Sequence, residues 1–260
     1  MTTTHAADIS DLFTSAADDG NLSVAGLQLV QVDDLGAQIQ AGFGIDVDDV
    51  DASEVTLVTL LIDDSSSIQM GNNTQLIRDG HNLILKSLKK SVGILMHTRF
   101  LNRGILYPFT PIDQVPLLDT SNYNPSGGTP LFDEIQTTLA TVVAKVQEFA
   151  DNGVPVRAVT VVITDGADYG SRRMTGPRLK PLVDDMLASE QHIIAGMGID
   201  DGYTNFHQVF TEMGIHPDWV LTPGNTEAEI RKAFALISQS AVRASQGAGF
   251  SQTGAGGFGS

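Results

Sequence analysis

The chain has no cysteine among its 260 residues. Disulfides, thiolate catalysis and thiolate metal sites are therefore excluded, and the absence suits a reducing compartment, so a cytoplasmic protein is expected. Basic residues are scarce: 15 Lys and Arg stand against 31 Asp and Glu, a formal net charge of -16. An acidic protein of this kind is repelled by nucleic acid and by anionic membrane surfaces, which argues against both as partners. No apolar run approaches the roughly 20 residues that cross a bilayer. The opening MTTTHAAD lacks the apolar core of a signal peptide, so no membrane association is expected.

Catalytic signatures are also missing. Neither a GxSxG elbow nor a GxxxxGK[ST] phosphate loop occurs, which leaves esterase and ATPase chemistry without a starting point. None of the histidines, His5, His81, His97, His192, His207 and His216, falls in a metal-ligand or triad spacing, and each reads as a surface or core residue. Phosphotransfer through an aspartyl nucleophile after a first strand needs a second acid two residues later. After Asp63 that place is Ser65. No enzymatic activity is expected.

What the sequence does contain is alternating buried strands and helical patterns. The 42% hydrophobic content suffices for one large α/β domain with modest extensions. Strands are predicted at 55–63, at VGILMH (92–97), at an edge position over 104–109 with Pro108 at its margin, at 156–164, at HIIAGMGI and near WVLTP. Between them lie helical patterns. The stretch from Thr74 carries Leu76, Ile77, Leu83, Leu85 and Leu88, and Leu131 to Ala150 carries a stripe of Phe132, Ile135, Leu139, Val142, Val143 and Val146. Further helices are predicted over 177–189, around Phe206 to Met213 and over Glu227 to Ser245. Such alternation implies right-handed crossovers and a parallel sheet covered by helices on both faces.

The chemistry concentrates where two of the strands end. Residues 56–67, TLVTLLIDDSSS, place Asp63 at the carboxyl end of a buried strand, with Ser65 and Ser67 two and four positions on. Ligands in open α/β sheets bind at that end. Carboxylate and hydroxyl oxygens are hard donors, suited to Mg²⁺, Mn²⁺ or Ca²⁺. Asp and Ser are also favoured helix N-caps, so a plain helix start is the competing reading. Two other segments bear on it: NPSGGTPLFDE sets Thr129 at a Gly-rich turn before a long helix, and AVTVVITDGAD ends a second strand at Asp165.

Taken in order, DxSxS, GGTPL and TDG resemble the von Willebrand factor A domain (vWA, integrin I-like), over roughly residues 53 to 240. The resemblance implies a doubly wound, mostly parallel six-stranded sheet in the order 3-2-1-4-5-6 with a short antiparallel edge, vWA/Rossmann-like. It also implies a metal-ion-dependent adhesion site (MIDAS) at Asp63, Ser65, Ser67, Thr129 and Asp165, with Asp63 and Asp165 often acting through water. Mg²⁺ is the expected cofactor, with Mn²⁺ or Ca²⁺ as alternatives. The function implied is a protein-protein interaction module that takes a partner's Asp or Glu carboxylate through the metal, as an adaptor beside an AAA+ ATPase or in a stress-response or assembly complex. The alternatives are a structural protein that self-assembles into a homo-oligomer, and a metal-dependent hydrolase. Asp168 is a candidate for tuning the metal from outside the ligand set, and Arg172 and Arg173 for meeting a partner carboxylate; each also reads as a plain exposed residue.

The expected organisation is an N-terminal acidic extension (1–52), the vWA domain (53–245) and a Gly-rich tail (246–260). Amphipathic stretches run around Ile9 to Ala17 and Leu27 to Ile39, and their apolar residues must be covered by the domain's flank or by another subunit. The run Asp46, Asp48, Asp49 and Asp51 lacks the glycine and distal Glu of an EF-hand and reads as a solvated linker. The tail repeats a unit ending in Phe250 and again in Phe258, a flexible linker with two weak anchors.

Overall fold

A computed structural model describes residues 8–32, 34–246 and 256–259. Its first helices are α1 (Ile9–Asp18), α2 (Val24–Val30) and α3 (Gly36–Gly42), followed by β1 (Val55–Ile62), α4 (Ser66–Met70) and α5 (Thr74–Leu88). The hairpin β2 (Ile94–Phe100) and β3 (Gly104–Pro111) leads through a long loop to α6 (Leu131–Asp151). Then come β4 (Val156–Thr164), α7 (Gly176–Ala188), β5 (His192–Gly198), α8 (Phe206–Glu212), β6 (Val220–Leu221) and α9 (Glu227–Gln246). The six strands form one sheet in the order β3-β2-β1-β4-β5-β6, parallel except for the β2–β3 pair. This is the vWA/Rossmann-like α/β architecture expected from the sequence.

Strands β1 and β4 are apolar because they are covered on both faces, and every residue of β1 is buried. Helices α5 and α9 pack together, with α9 reaching β4, while α6 and α7 pack together and contact β1, β4 and β5. Three details differ from the sequence reading. Strand β2 starts at Ile94, leaving Val92 exposed, because Gly93 turns with φ +71. On α5 the buried face is Ile77, His81, Ile84, Leu85 and Leu88, and Leu83 is 40% exposed, since a residue one short of Ile84 is rotated off that face. Pro108 sits inside β3 rather than at its margin, at a break in the β2–β3 register, the position within a strand where a missing N–H is tolerated.

The extension folds back on its own chain. Helices α1 and α3 pack on α6, α2 packs on α7, and α3 reaches β3. Phe13, Leu35 and Ile39 are fully buried, each burial stabilising by about 1.5–3 kcal/mol. The stretch Leu27 to Ile39 is two helices, interrupted between Val30 and Gly36. Beyond α3 the chain crosses the edge strand, where Ile45 N–H donates to Phe109 O at 3.0 Å. Gly44 makes that approach with φ +65, and a Cβ there would stand 2.0 Å from Phe109 O. The open edge of β3 is thereby covered.

This cover changes α6. Beyond its apolar stripe, Gln136, Thr137, Thr138, Thr141, Lys145 and Gln147 are buried as well. The threonines donate back to carbonyls of their own helix, and the longer side chains find partners in the extension: Gln136 Nε2 donates to Leu29 O at 2.7 Å, Lys145 Nζ to Ile45 O at 2.6 Å and Gln147 Nε2 to Asp19 Oδ2 at 2.8 Å. Lys145 also bonds Glu148 and lies 5.2 Å from the ring centroids of both Phe43 and Phe149. The acidic run forms a short 3-10 turn over Val47–Asp49, with Asp46 capping Asp48 N–H. Among the described residues no helix is long and apolar enough to cross a membrane.

Candidate functional site

The loops after β1 and β4 meet at the carboxyl edge of the sheet, where parallel pairing of the two strands runs through Ile62 and Ile163. Asp63 follows β1 directly and is fully buried. Its Oδ1 accepts Ser65 N–H at 2.7 Å and its Oδ2 accepts the Thr164 hydroxyl at 2.6 Å. Ser65 Oγ and Ser67 Oγ share a hydrogen bond of 2.7 Å, and Ser67 Oγ donates to Asp165 Oδ1 at 2.6 Å. The structure thus joins Ser65, Ser67 and Asp165 through their side chains and ties Asp63 to them through the Ser65 amide.

The competing reading, a plain helix start, can be judged from Ser65. It stands at the N-cap of α4 with an extended backbone, yet its side chain makes no capping bond. Its hydroxyl is turned to Ser67 instead. Thr129 lies on the same small surface: a point one Cβ out from Gly166 is 3.6 Å from Ser67 Oγ and 3.7 Å from Thr129 Oγ1. The Thr129 backbone is held by paired hydrogen bonds with Tyr169, at 3.0 and 2.8 Å.

Electrostatics set these carboxylates apart. Burial pushes Asp63 above the usual carboxylate range, against the pull of hydrogen bonds from Ser65 and Thr164. Asp165 is pushed up to about 6, first by burial and then by the charge of Asp63, while its bond from Ser67 pulls the other way. Asp201, in the loop after β5, adds a further negative charge. Two acids that resist ionising side by side, with hydroxyls between them, form an all-oxygen donor set that fits Mg²⁺, Mn²⁺ or Ca²⁺. Among the described residues no group of three or more His, Cys, Asp or Glu could hold a metal, and hydroxyls complete the candidate set instead.

Several neighbours escaped the sequence reading. Thr164 was within view in TDG, but nothing in the motif says that its hydroxyl serves Asp63. Tyr123, fully buried in the loop between β3 and α6, donates its hydroxyl to Asp63 O at 2.6 Å, and Arg78 Nη2 holds Tyr123 O at 2.6 Å. No local pattern announces that contact. Asn73 is also buried, and its side-chain nitrogen makes no hydrogen bond among the described residues. Asp64 belongs to the loop's scaffolding: its carboxylate accepts Asn102 N–H at 2.8 Å and Arg103 Nε at 3.1 Å.

Asp168 is half-buried and accepts Phe132 N–H at 3.3 Å, so it serves the first turn of α6. Arg172 is exposed, and Arg173 is half-buried; both backbone amides donate to Asp133, at 2.8 and 3.0 Å. His81, His97 and His192 are buried, His207 and His216 are exposed, and His5 lies outside the described residues. Met70 at the end of α4, Tyr169 in the loop after β4 and Tyr203 in the loop after β5 are 76%, 80% and 97% exposed.

No protein-family model matches the chain, and no curated protein matches it. Solved structures do. A pilus adhesin, SpaC from Lactobacillus rhamnosus GG, aligns at 11% identity and TM-score 0.50 over 75% of this chain and 31% of that one. The SpRpn10 VWA domain aligns at 13% identity and TM-score 0.47, over 76% and 97%. Proximal thread matrix protein 1 from the mussel byssus aligns at 17% identity and TM-score 0.48, over 71% of this chain. The chain spans 47% of the length of that mussel protein. Likeness at these identities shows the fold alone.

Proposed function

We propose that this chain is a metal-dependent protein-interaction module, holding Mg²⁺ (or Mn²⁺ or Ca²⁺) at Asp63, Ser65, Ser67, Thr129 and Asp165 and taking an Asp or Glu of a partner protein through it. The observation that carries this reading is the side-chain path Ser65–Ser67–Asp165 beside buried Asp63, in which Ser65 forgoes its helix cap. The cation supplies the positive charge that buried Asp63 and Asp165 lack, and it gives an acidic protein a point of attraction for another acid. The residues of this chain position and desolvate that point. Tyr123 and Thr164 fix Asp63. Exposed Met70, Tyr169 and Tyr203 offer apolar contact around it.

No catalytic role is proposed, because the sequence carries no esterase elbow, phosphate loop or second acid for aspartyl phosphotransfer. An adaptor role beside an AAA+ ATPase, in the cytoplasm, is proposed on the sequence resemblance. Self-assembly through the extension is the weaker reading, since Leu12, Phe13, Val30, Leu35 and Ile39 are buried by the chain itself, although Val24 on α2 is 76% exposed. Titration calorimetry with Mg²⁺ and Mn²⁺, and capture of partner proteins with and without EDTA, test the reading. Absence of binding at millimolar metal, or binding unaltered by Asp165→Ala, refutes it.

A further inference from the structure

The C-terminal segment offers a contact that neither the fold nor the metal site requires. Phe258 is 5% exposed and packs edge-on against Trp219, itself 2% exposed, with ring centroids 5.2 Å apart and planes at 65°. Trp219 closes a 3-10 turn, Pro217–Trp219, ahead of β6. Arg243, on the last turns of α9, reaches Gly257 O with Nη2 at 3.4 Å and bonds Ser240 Oγ at 3.0 Å. The backbone is gauged too. Gly257 adopts φ +76, and a Cβ there would stand 2.6 Å from Asp218 Cβ and 2.7 Å from Asp218 O. Gly256 adopts φ +70. Both positions favour glycine, and at Gly257 any side chain meets Asp218.

These contacts discriminate between the two repeats of the tail. The earlier unit, 247–250, reads GAGF, and the later unit, 254–258, reads GAGGF, so that Ala248 stands in the first where Gly256 stands in the second. A left-handed backbone disfavours alanine there, so the socket fits the second repeat and not the first. Beside Phe258 the surface continues as a groove of about 540 Å³ along α9, lined by Leu236, Gln239 and Val242 among others. A longer peptide than the described segment has room.

We infer that the face formed by Asp218, Trp219 and Arg243 is a peptide-binding site that reads Gly-Gly-Phe, and that its resident ligand is this chain's own C-terminus. The phenylalanine supplies apolar burial and an aromatic pair, Arg243 holds a backbone carbonyl, and close approach at Asp218 selects glycine. Gly256, Gly257 and Phe258 are the part of the tail that acts as the ligand.

Trp219 is the sole tryptophan of the chain and reports on the site directly. In the full-length protein, Phe258→Ala is expected to shift Trp219 emission to longer wavelength and to raise acrylamide quenching severalfold, with far-UV circular dichroism unchanged. Gly257→Ala does the same, and Phe250→Ala leaves emission as in the parent. The synthetic peptide TGAGGFGS, added at millimolar concentration to the Phe258→Ala protein, restores the parent emission, and TGAGAFGS does not. Parent-like emission in both Phe258→Ala and Gly257→Ala overturns the inference, as does equal restoration by the two peptides.

Discussion

Replacing Asp165 by Asn should strengthen the metal-free protein and abolish its response to metal. In the fold the Asp165 carboxyl is pushed from its ordinary 3.8 to about 6, chiefly by burial and then by Asp63. At ~1.4 kcal/mol per pH unit, holding that carboxylate charged at pH 7.5 costs the native state ~3 kcal/mol. Asn keeps an acceptor for the Ser67 hydroxyl and removes the charge. Allowing for imperfect geometry, a gain of ~1–3 kcal/mol is expected in EDTA, or roughly 2–4 °C in Tm per kcal/mol. The sign can be checked through pH. A carboxyl whose folded pKa is raised penalises the native state fully above about pH 6, and the penalty fades as pH falls toward 3.8. The advantage of Asn should therefore shrink between pH 7.5 and 4.5. Adding Mg²⁺ should stabilise the parent by mass action and leave Asp165→Asn unmoved. Urea denaturation with EDTA or Mg²⁺ at both pH values decides the matter. A variant less stable than the parent in EDTA, or an advantage that does not change with pH, refutes the electrostatic account.

Other consequences can be measured independently. Thr129 is 6% exposed in a surface loop, so Thr129→Ala should cost no more than ~1 kcal/mol of stability, the usual net worth of one hydroxyl hydrogen bond, while weakening Mg²⁺-dependent partner capture. A large loss of stability, or undiminished capture, speaks against its place at the site. Deleting residues 1–45 uncovers the polar flank of α6 and the edge of β3, and sedimentation should show self-association or loss of solubility; Mg²⁺ affinity should persist in the soluble fraction. Lys145→Ala removes a buried ammonium that holds Ile45 O and Glu148, and a loss of ~3–5 kcal/mol in urea denaturation is expected. Burial lowers His81, His97 and His192 from 6.5 to about 4. A histidine held neutral in this way contributes stability that is complete above pH 6.5 and is lost as pH falls toward 4. His192→Leu should accordingly flatten the fall in stability between pH 6.5 and 4, seen in denaturation midpoints across that range.

The residues that could be read without a structure are those whose signal is local. Strand β4 is a run of buried apolar residues ending at Thr164, and its span matched because a doubly covered strand needs no partner information to look apolar. The five candidate ligands were likewise visible, since each follows a strand or a Gly-rich turn whose backbone points it to the sheet's carboxyl edge. What long-range packing decides was not visible. The polar face of α6 looks solvated in sequence, and it is buried only because α1, α2 and α3 lie on it, with Leu29 O of α2 among the acceptors they supply. Ser65 reads equally as a helix cap and as a ligand until the position of Ser67 is known. Tyr123 is brought to Asp63 by the fold of a loop that carries no periodicity, anchored by Arg78. Phe258 has the composition of a flexible tail around it and finds Trp219 only in three dimensions. Periodicity determined the layers, because it reports which side of an element is buried, while the strand order came only through the family resemblance that the motifs carry. Which surfaces bury one another is a property of distant pairs, and tertiary structure alone decided it.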